Sequence, residues 1–130
     1  MIEPTSEHDR IARQIVDSAF AVHTTLGPGL LESAYEQCLT TGLRIRNLAV
    51  ERQVLVPVIY RDTRIDAGFR MDMVVGGLVV VEAKAVEALL PIHEAQLLTY
   101  LRLSGQQLGL LINFNVTLIK NGIRRIVCTS

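Results

Sequence analysis

Three side chains in the middle of this 130-residue chain could do hydrolytic chemistry together. Asp72 interrupts the apolar run Phe69-Arg70-Met71-Asp72-Met73-Val74-Val75, and Glu82 and Lys84 close the run Val79-Val80-Val81-Glu82-Ala83-Lys84. A charge at the end of a buried strand is costly unless it is paired or holds a metal. Two neighbouring carboxylates repel, so one tends to protonate unless a cation intervenes. A hard divalent ion resolves that repulsion, because Mg²⁺ takes oxygen ligands, commonly one or two carboxylates together with waters and phosphate oxygens. Such an ion lowers the pKa of a bound water and neutralises charge on a phosphate. A lysine beside it supplies a positive donor for the attacking water or the developing oxyanion. Asp72, Glu82 and Lys84 therefore hold the parts of metal-assisted phosphodiester hydrolysis. The same residue types near strand ends also form solvated salt-bridge clusters, and the spacing is loose enough to arise by chance.

Other polar groups stand near this set in the pattern. Glu32 and Glu36 flank the apolar stripe of a helix, where such residues commonly face solvent. Gln96 and Tyr100 are spaced i and i+4 on a later helix, with His93 one turn earlier on the same face. His93 reads as a helix-start residue rather than a ligand.

The elements that must position these groups follow from periodicity. Ile11, Ala12, Ile15, Val16, Ala19 and Phe20 recur at helical spacing, which predicts a helix from Ser6 to about Thr25, with Ser6 as its N-cap. Leu26-Gly27-Pro28-Gly29 breaks it. A second helix is expected from Leu31 to Arg44, with Leu31, Ala34, Tyr35, Cys38 and Leu39 inward. Alternation then predicts strands over Val50–Tyr60, Ala67–Val75 and Leu78–Lys84, the first demoted toward an edge by Pro57. The apolar third strand fits a central position covered on both faces. A helix over Pro91–Leu103, with Leu97, Leu98 and Leu101 inward, precedes strands at Leu108–Phe114 and Ile123–Cys128. Three strands should form an antiparallel meander, and the helix after them should cross over to place the next strand elsewhere in the same sheet. The expected fold is a single compact mixed α/β (α+β) domain spanning 1–130.

Register decides whether the carboxylates meet. Glu82 and Lys84 share a strand face because side chains alternate. A two-residue turn at Gly76-Gly77 pairs Val75 with Leu78, and turns Asp72 and Glu82 to opposite faces. A three-residue loop pairs Val75 with Val79 and sets Asp72 opposite Glu82. The glycines suit either geometry, and the choice is a one-residue slip.

Composition narrows the function. Thirteen basic and thirteen acidic residues give a net charge of zero, with 49% apolar residues and 5% aromatics. A nonspecific DNA binder usually carries a basic excess, so nucleic acid would have to meet a local patch. Arg44, Arg46, Arg52, Arg61, Arg64 and Arg70 could supply such a rim, or simply a solvated surface. The apolar runs fall short of a membrane span, and the N-terminus lacks a signal-peptide core. Cys38 and Cys128 are isolated and read as reduced thiols in a cytoplasmic protein.

The segment Gly29-Leu30-Leu31-Glu32-Ser33-Ala34-Tyr35 fits the pattern G-x-x-E-x-x-Y. With Arg70-Met71-Asp72, Val80 to Val86, His93 to Leu101 and Gly109 to Phe114, it makes the chain resemble the GxxExxY protein family over roughly residues 8–128. That family is grouped with the PD-(D/E)xK nuclease superfamily. The resemblance implies a restriction-endonuclease-like αβββαβ core, with a mixed sheet flanked by helices. It implies that Asp72 is the metal-binding aspartate and that Glu82 and Lys84 are the (D/E)xK pair. It further implies that the Ala83 carbonyl and Glu32 complete the ligand shell of Mg²⁺ or Mn²⁺, and that Gln96 stands near the site. The expected activity is a metal-dependent nuclease on DNA or RNA, with a homodimer as one way to enlarge the contact surface. The alternative is a non-catalytic interaction or regulatory module that retains the fold, and with it a protein partner. The resemblance assigns no role to Tyr35 or Tyr100.

Overall fold

A computed structural model describes residues 2–129. Helices α1 (Ser6–Leu26) and α2 (Glu32–Ile45) precede strands β1 (Val50–Tyr60), β2 (Thr63–Val75) and β3 (Val79–Lys84). Helix α3 (Pro91–Ser104) then leads to β4 (Leu108–Asn113), a short 3₁₀ turn and β5 (Ile123–Val127). The five strands form one sheet in the order β1-β2-β3-β4-β5. Its first three strands are an antiparallel meander, and β3 and β4 run parallel, joined by the α3 crossover. This is the α+β architecture expected from the sequence, with Pro57 on the edge strand β1.

The sheet separates two apolar layers. On one face Ile11, Ile15 and Ala19 of α1 and Tyr35, Leu39 and Leu43 of α2 pack against Met73, Val75, Val79, Val81 and Leu110. On the other, Leu97 and Leu101 of α3 pack against Met71, Val74, Val80 and Leu111. Burying each such side chain contributes about 1.5–3 kcal/mol, so β3, buried on both faces, is the fixed reference of the fold. The β2–β3 connection is a three-residue turn, Gly76–Leu78, which pairs Val75 with Val79. Gly76 and Gly77 both have positive φ (61° and 68°), and a Cβ on Gly76 would lie 2.6 Å from the Ile11 Cδ1. The positive φ favours glycine there, and the observed pairing is the three-residue register, one of the two the sequence leaves open.

The structure differs from expectation in a few local details. The N-cap of α1 is Thr5, one residue before Ser6, because Thr5 Oγ1 accepts from the His8 N–H and His8 Nδ1 accepts from the Thr5 N–H at 3.0 Å. Leu31 is 77% exposed and precedes α2, and Phe20 and Leu98 turn outward. The buried face of α2 carries Glu36 and Thr40 beside Tyr35, Leu39 and Leu43. Strand β2 starts at Thr63, because Arg61 takes the left-handed conformation (φ 55°) and closes a tight turn without a glycine to announce it. Neither cysteine forms a disulfide, and among the described residues no helix is long and apolar enough to cross a membrane.

Candidate functional site

The β2–β3 ladder stops after Met73 and Val81. In the next row two carboxylates replace the backbone bonds. The Asp72 N–H donates to Glu82 Oε2 at 2.7 Å, and the Ala83 N–H donates to Asp72 Oδ2 at 2.9 Å. Each acid thus holds the strand that carries the other. Glu82 is 5% exposed and Asp72 half-buried. Burial, with repulsion from Asp72 next, pushes the Glu82 carboxyl up to about 8. Burial also pushes Asp72 up to about 6, against the bond from Ala83. Raised carboxylate pKa values mark a site short of positive charge.

A kink in the neighbouring strand creates this opening. Met73 and Val75 pack under α1 and α2, whereas Met71, two residues before Met73, packs under α3. On β1, Val50 belongs to the first layer and Val54 and Val56 to the second. Strict alternation would keep Met71 and Met73 on one face. β2 changes face between Met73 and Met71 and β1 between Val50 and Val54, and Gln53 and Asp72 lie between the paired rows Arg52–Met73 and Val54–Met71. Gln53 has φ 53°, a left-handed conformation that costs a residue with a Cβ about 1–2 kcal/mol.

Alternation along β3 puts Glu82 and Lys84 on the α3 side with Val80. The Lys84 charge favours ionisation of both acids, yet among the described residues its ammonium makes no hydrogen bond or ion pair. Tyr100, stacked on Phe69 with ring centroids 4.5 Å apart, faces the same region, since burial and then the charges of Glu82 and Asp72 raise its pKa. Gln96 is exposed on α3, and no hydrogen bond joins it to the acids. The His93 Nδ1 accepts from the Leu90 N–H at 2.9 Å and so serves the start of α3.

Helix α2 brings two acids. Glu32 Oε1 accepts from the Ala85 N–H at 3.3 Å, just past Lys84, and its charge reaches Asp72. Glu36, one turn on, is 6% exposed, and its charge acts on both Asp72 and Glu82. It accepts from Gln53 Nε2 at 2.6 Å and pairs with Arg52 at 3.4 Å. Sequence reasoning singled out Glu32 and left Glu36 as a flank. The missed signal was its place one turn from Leu39 and Thr40, on the face that turns inward.

Two further residues hold the frame. The Tyr35 hydroxyl donates to the Gly27 carbonyl at 2.6 Å and accepts from the Leu30 N–H at 3.1 Å, while its ring stacks on Phe114. Gly29 (φ 104°) and Tyr35 thereby shape the loop from which the helix of Glu32 starts. Buried Asn113 accepts from the Val86 N–H at 3.1 Å and donates to the Val86 carbonyl at 2.9 Å, clamping the chain beyond Lys84. A polar residue ending an apolar strand was the available signal for it.

Among the described residues, no three His, Cys, Asp or Glu side chains stand close enough to enclose a metal ion. The donor set nevertheless suits a hard cation, because Mg²⁺ commonly takes only one or two carboxylates and keeps its waters. Five of the six mid-chain arginines are engaged among the described residues: Arg44 on the Val50 carbonyl, Arg46 on Gln14, Arg52 on Glu36, Arg64 on Asp66, and Arg61 over the Tyr60 ring at 5.4 Å.

The chain matches the family model of the PD-(D/E)XK nuclease superfamily over residues 9–126. No curated protein and no solved structure is significantly similar to it.

Proposed function

We propose that this chain, which belongs to the PD-(D/E)XK nuclease superfamily, is a divalent-metal-dependent phosphodiester hydrolase acting on DNA or RNA. The observation that carries this reading is the reciprocal lock of Asp72 and Glu82 between two parted strands, with Lys84, whose charge acts on both acids, two residues on. Asp72, Glu82 and the Ala83 carbonyl would hold Mg²⁺ or Mn²⁺, and Glu32 would complete the shell by leaving the Ala85 N–H. The ion would supply Lewis acidity and a bound water of lowered pKa. Burial and mutual repulsion favour a proton on the acids, Glu82 above all, and a cation would displace it by relieving both the repulsion and the cost of desolvation. Lys84 donates to the attacking water or to the oxyanion. Gln96, exposed on α3, suits a contact with substrate better than one with the ion. The Gly29-to-Tyr35 signature supports placement in the GxxExxY family.

The test is cleavage of labelled single- and double-stranded DNA and RNA with Mg²⁺, with Mn²⁺ and with chelator. The wild type should cut at least one substrate only with metal, and Asp72→Ala, Glu82→Ala and Lys84→Ala should not. A wild type that cuts none of them sinks the hydrolase reading. One observation favours the second reading, a non-catalytic interaction or regulatory module with a protein partner or a second copy. Both carboxylates already have backbone donors, so the lock could serve the fold alone. That reading expects Asp72→Ala to keep its biological function.

A further inference from the structure

The left-handed backbone of Gln53 is unexplained by the fold. A glycine would take φ 53° without strain, yet a long amide stands there, between the same paired rows as Asp72, where β1 and β2 both change face. Strained backbone persists where the surroundings over-determine it, and it concentrates at functional sites. Here the over-determining contact is visible: Gln53 Nε2 donates to buried Glu36 at 2.6 Å, tying the kink to α2. Arg52 holds the same carboxylate from the preceding position.

We propose that Gln53 is the positioning residue of the site: anchored to Glu36, it fixes the kink that delivers Asp72 to Glu82. Gln53 touches neither Asp72 nor Glu82 through a hydrogen bond; it acts through the strand. With the anchor cut, the row at Asp72 relaxes toward ordinary alternation. The carboxylates then lose their grip on the Asp72 and Ala83 amides.

This inference builds on the proposed metal site only for its second readout; the first needs no metal. In the full chain, Gln53→Gly keeps the backbone conformation accessible and deletes the anchor. Hydrogen exchange of the Asp72 and Ala83 amides should speed about tenfold or more, with the Val80 and Leu111 amides unchanged. Mn²⁺ affinity should fall about 10–100-fold, as for other residues that orient ligands. Glu36→Gln, whose amide oxygen can still accept from Gln53, should stay within about threefold of wild type in exchange. If Gln53→Gly does not fold, Gln53→Asn, which tolerates φ > 0 but is too short to keep the bond, carries the same expectations. Wild-type exchange at both amides, or acceleration spread evenly over the sheet, overturns the proposal. So does an equal loss in Glu36→Gln, which would assign the effect to the Glu36 charge. A wild type that binds no Mn²⁺ defeats the metal site, while the exchange result still decides the role of Gln53.

Discussion

The two sides of β3 are built on opposite principles. Toward β4 it makes six consecutive parallel pairs, from Val79–Leu108 to Lys84–Asn113, of which the first three, up to Val81–Leu110, are apolar. Toward β2 it makes three pairs and then hands the strand junction to two acids. One strand is thus fully paired on one edge and carries half of the carboxylate pair on the other. Stability comes from the first edge, and the second can hold groups the core would reject only because the first does not yield.

Substitutions should separate these roles. The largest effect on folding belongs to the β4 side. Leu111→Ala, fully buried, should cost about 2–5 kcal/mol in denaturant unfolding, through lost burial and a cavity. A loss below about 1 kcal/mol would mean that the β4 edge is not the main support.

The acids should give the next largest effect, and with pH rather than with mutation. Asp72 at about 6 and Glu82 at about 8 both lie above their ordinary values of 3.8 and 4.5. The folded chain therefore keeps protons that the unfolded chain releases. The stability from these groups is complete below about pH 4 and is lost as pH rises through 6 and then 8. Denaturation midpoints between pH 5 and 9 should fall accordingly, and Glu82→Gln should flatten the upper part of the fall. A midpoint that rises over this range would contradict the buried, uncompensated pair. Added Mg²⁺ should restore part of the loss at pH 8.

Tyr35→Phe removes a hydroxyl that serves two loop groups while leaving the ring on Phe114. It should cost about 1 kcal/mol and lower divalent-metal affinity in the same chain, since the loop leads into Glu32. Calorimetry of both quantities checks this, and an unchanged affinity would confine Tyr35 to the fold. The smallest stability effect belongs to Lys84→Ala, within about 0.5 kcal/mol, because among the described residues its ammonium makes no hydrogen bond or ion pair and acts on the two acids through charge alone. A stability loss beyond that range would place Lys84 in the frame rather than in the chemistry.

Much of this contrast was legible in the chain. Unbroken valines announced a strand covered on both faces, a break of that apolar pattern announced each of Asp72, Glu82 and Lys84, and Gly76-Gly77 announced the turn between them. Hydrophobic periodicity is local, so every α-helix and strand from Ser6 to Val127 could be placed within a few residues by reading outward from its apolar positions, while the 3₁₀ turn at Ile119–Gly122 carried no such signal. The turn at Arg61 carried no such mark, and β2 was read short for that reason.

What the sequence determined by itself was the order of elements, the covered central strand and the identity of the charged residues in it. The tertiary structure alone decided the three-residue register, because pairing across the turn depends on how β2 and β3 pack and not on the two glycines, which suit either turn. It alone placed Glu36 against Gln53, 17 residues on in the strand that follows its helix. It alone revealed the change of face at Gln53 and Asp72, because a kink in a strand depends on a backbone angle and a partner across space, and neither is written in the spacing of side chains along the chain.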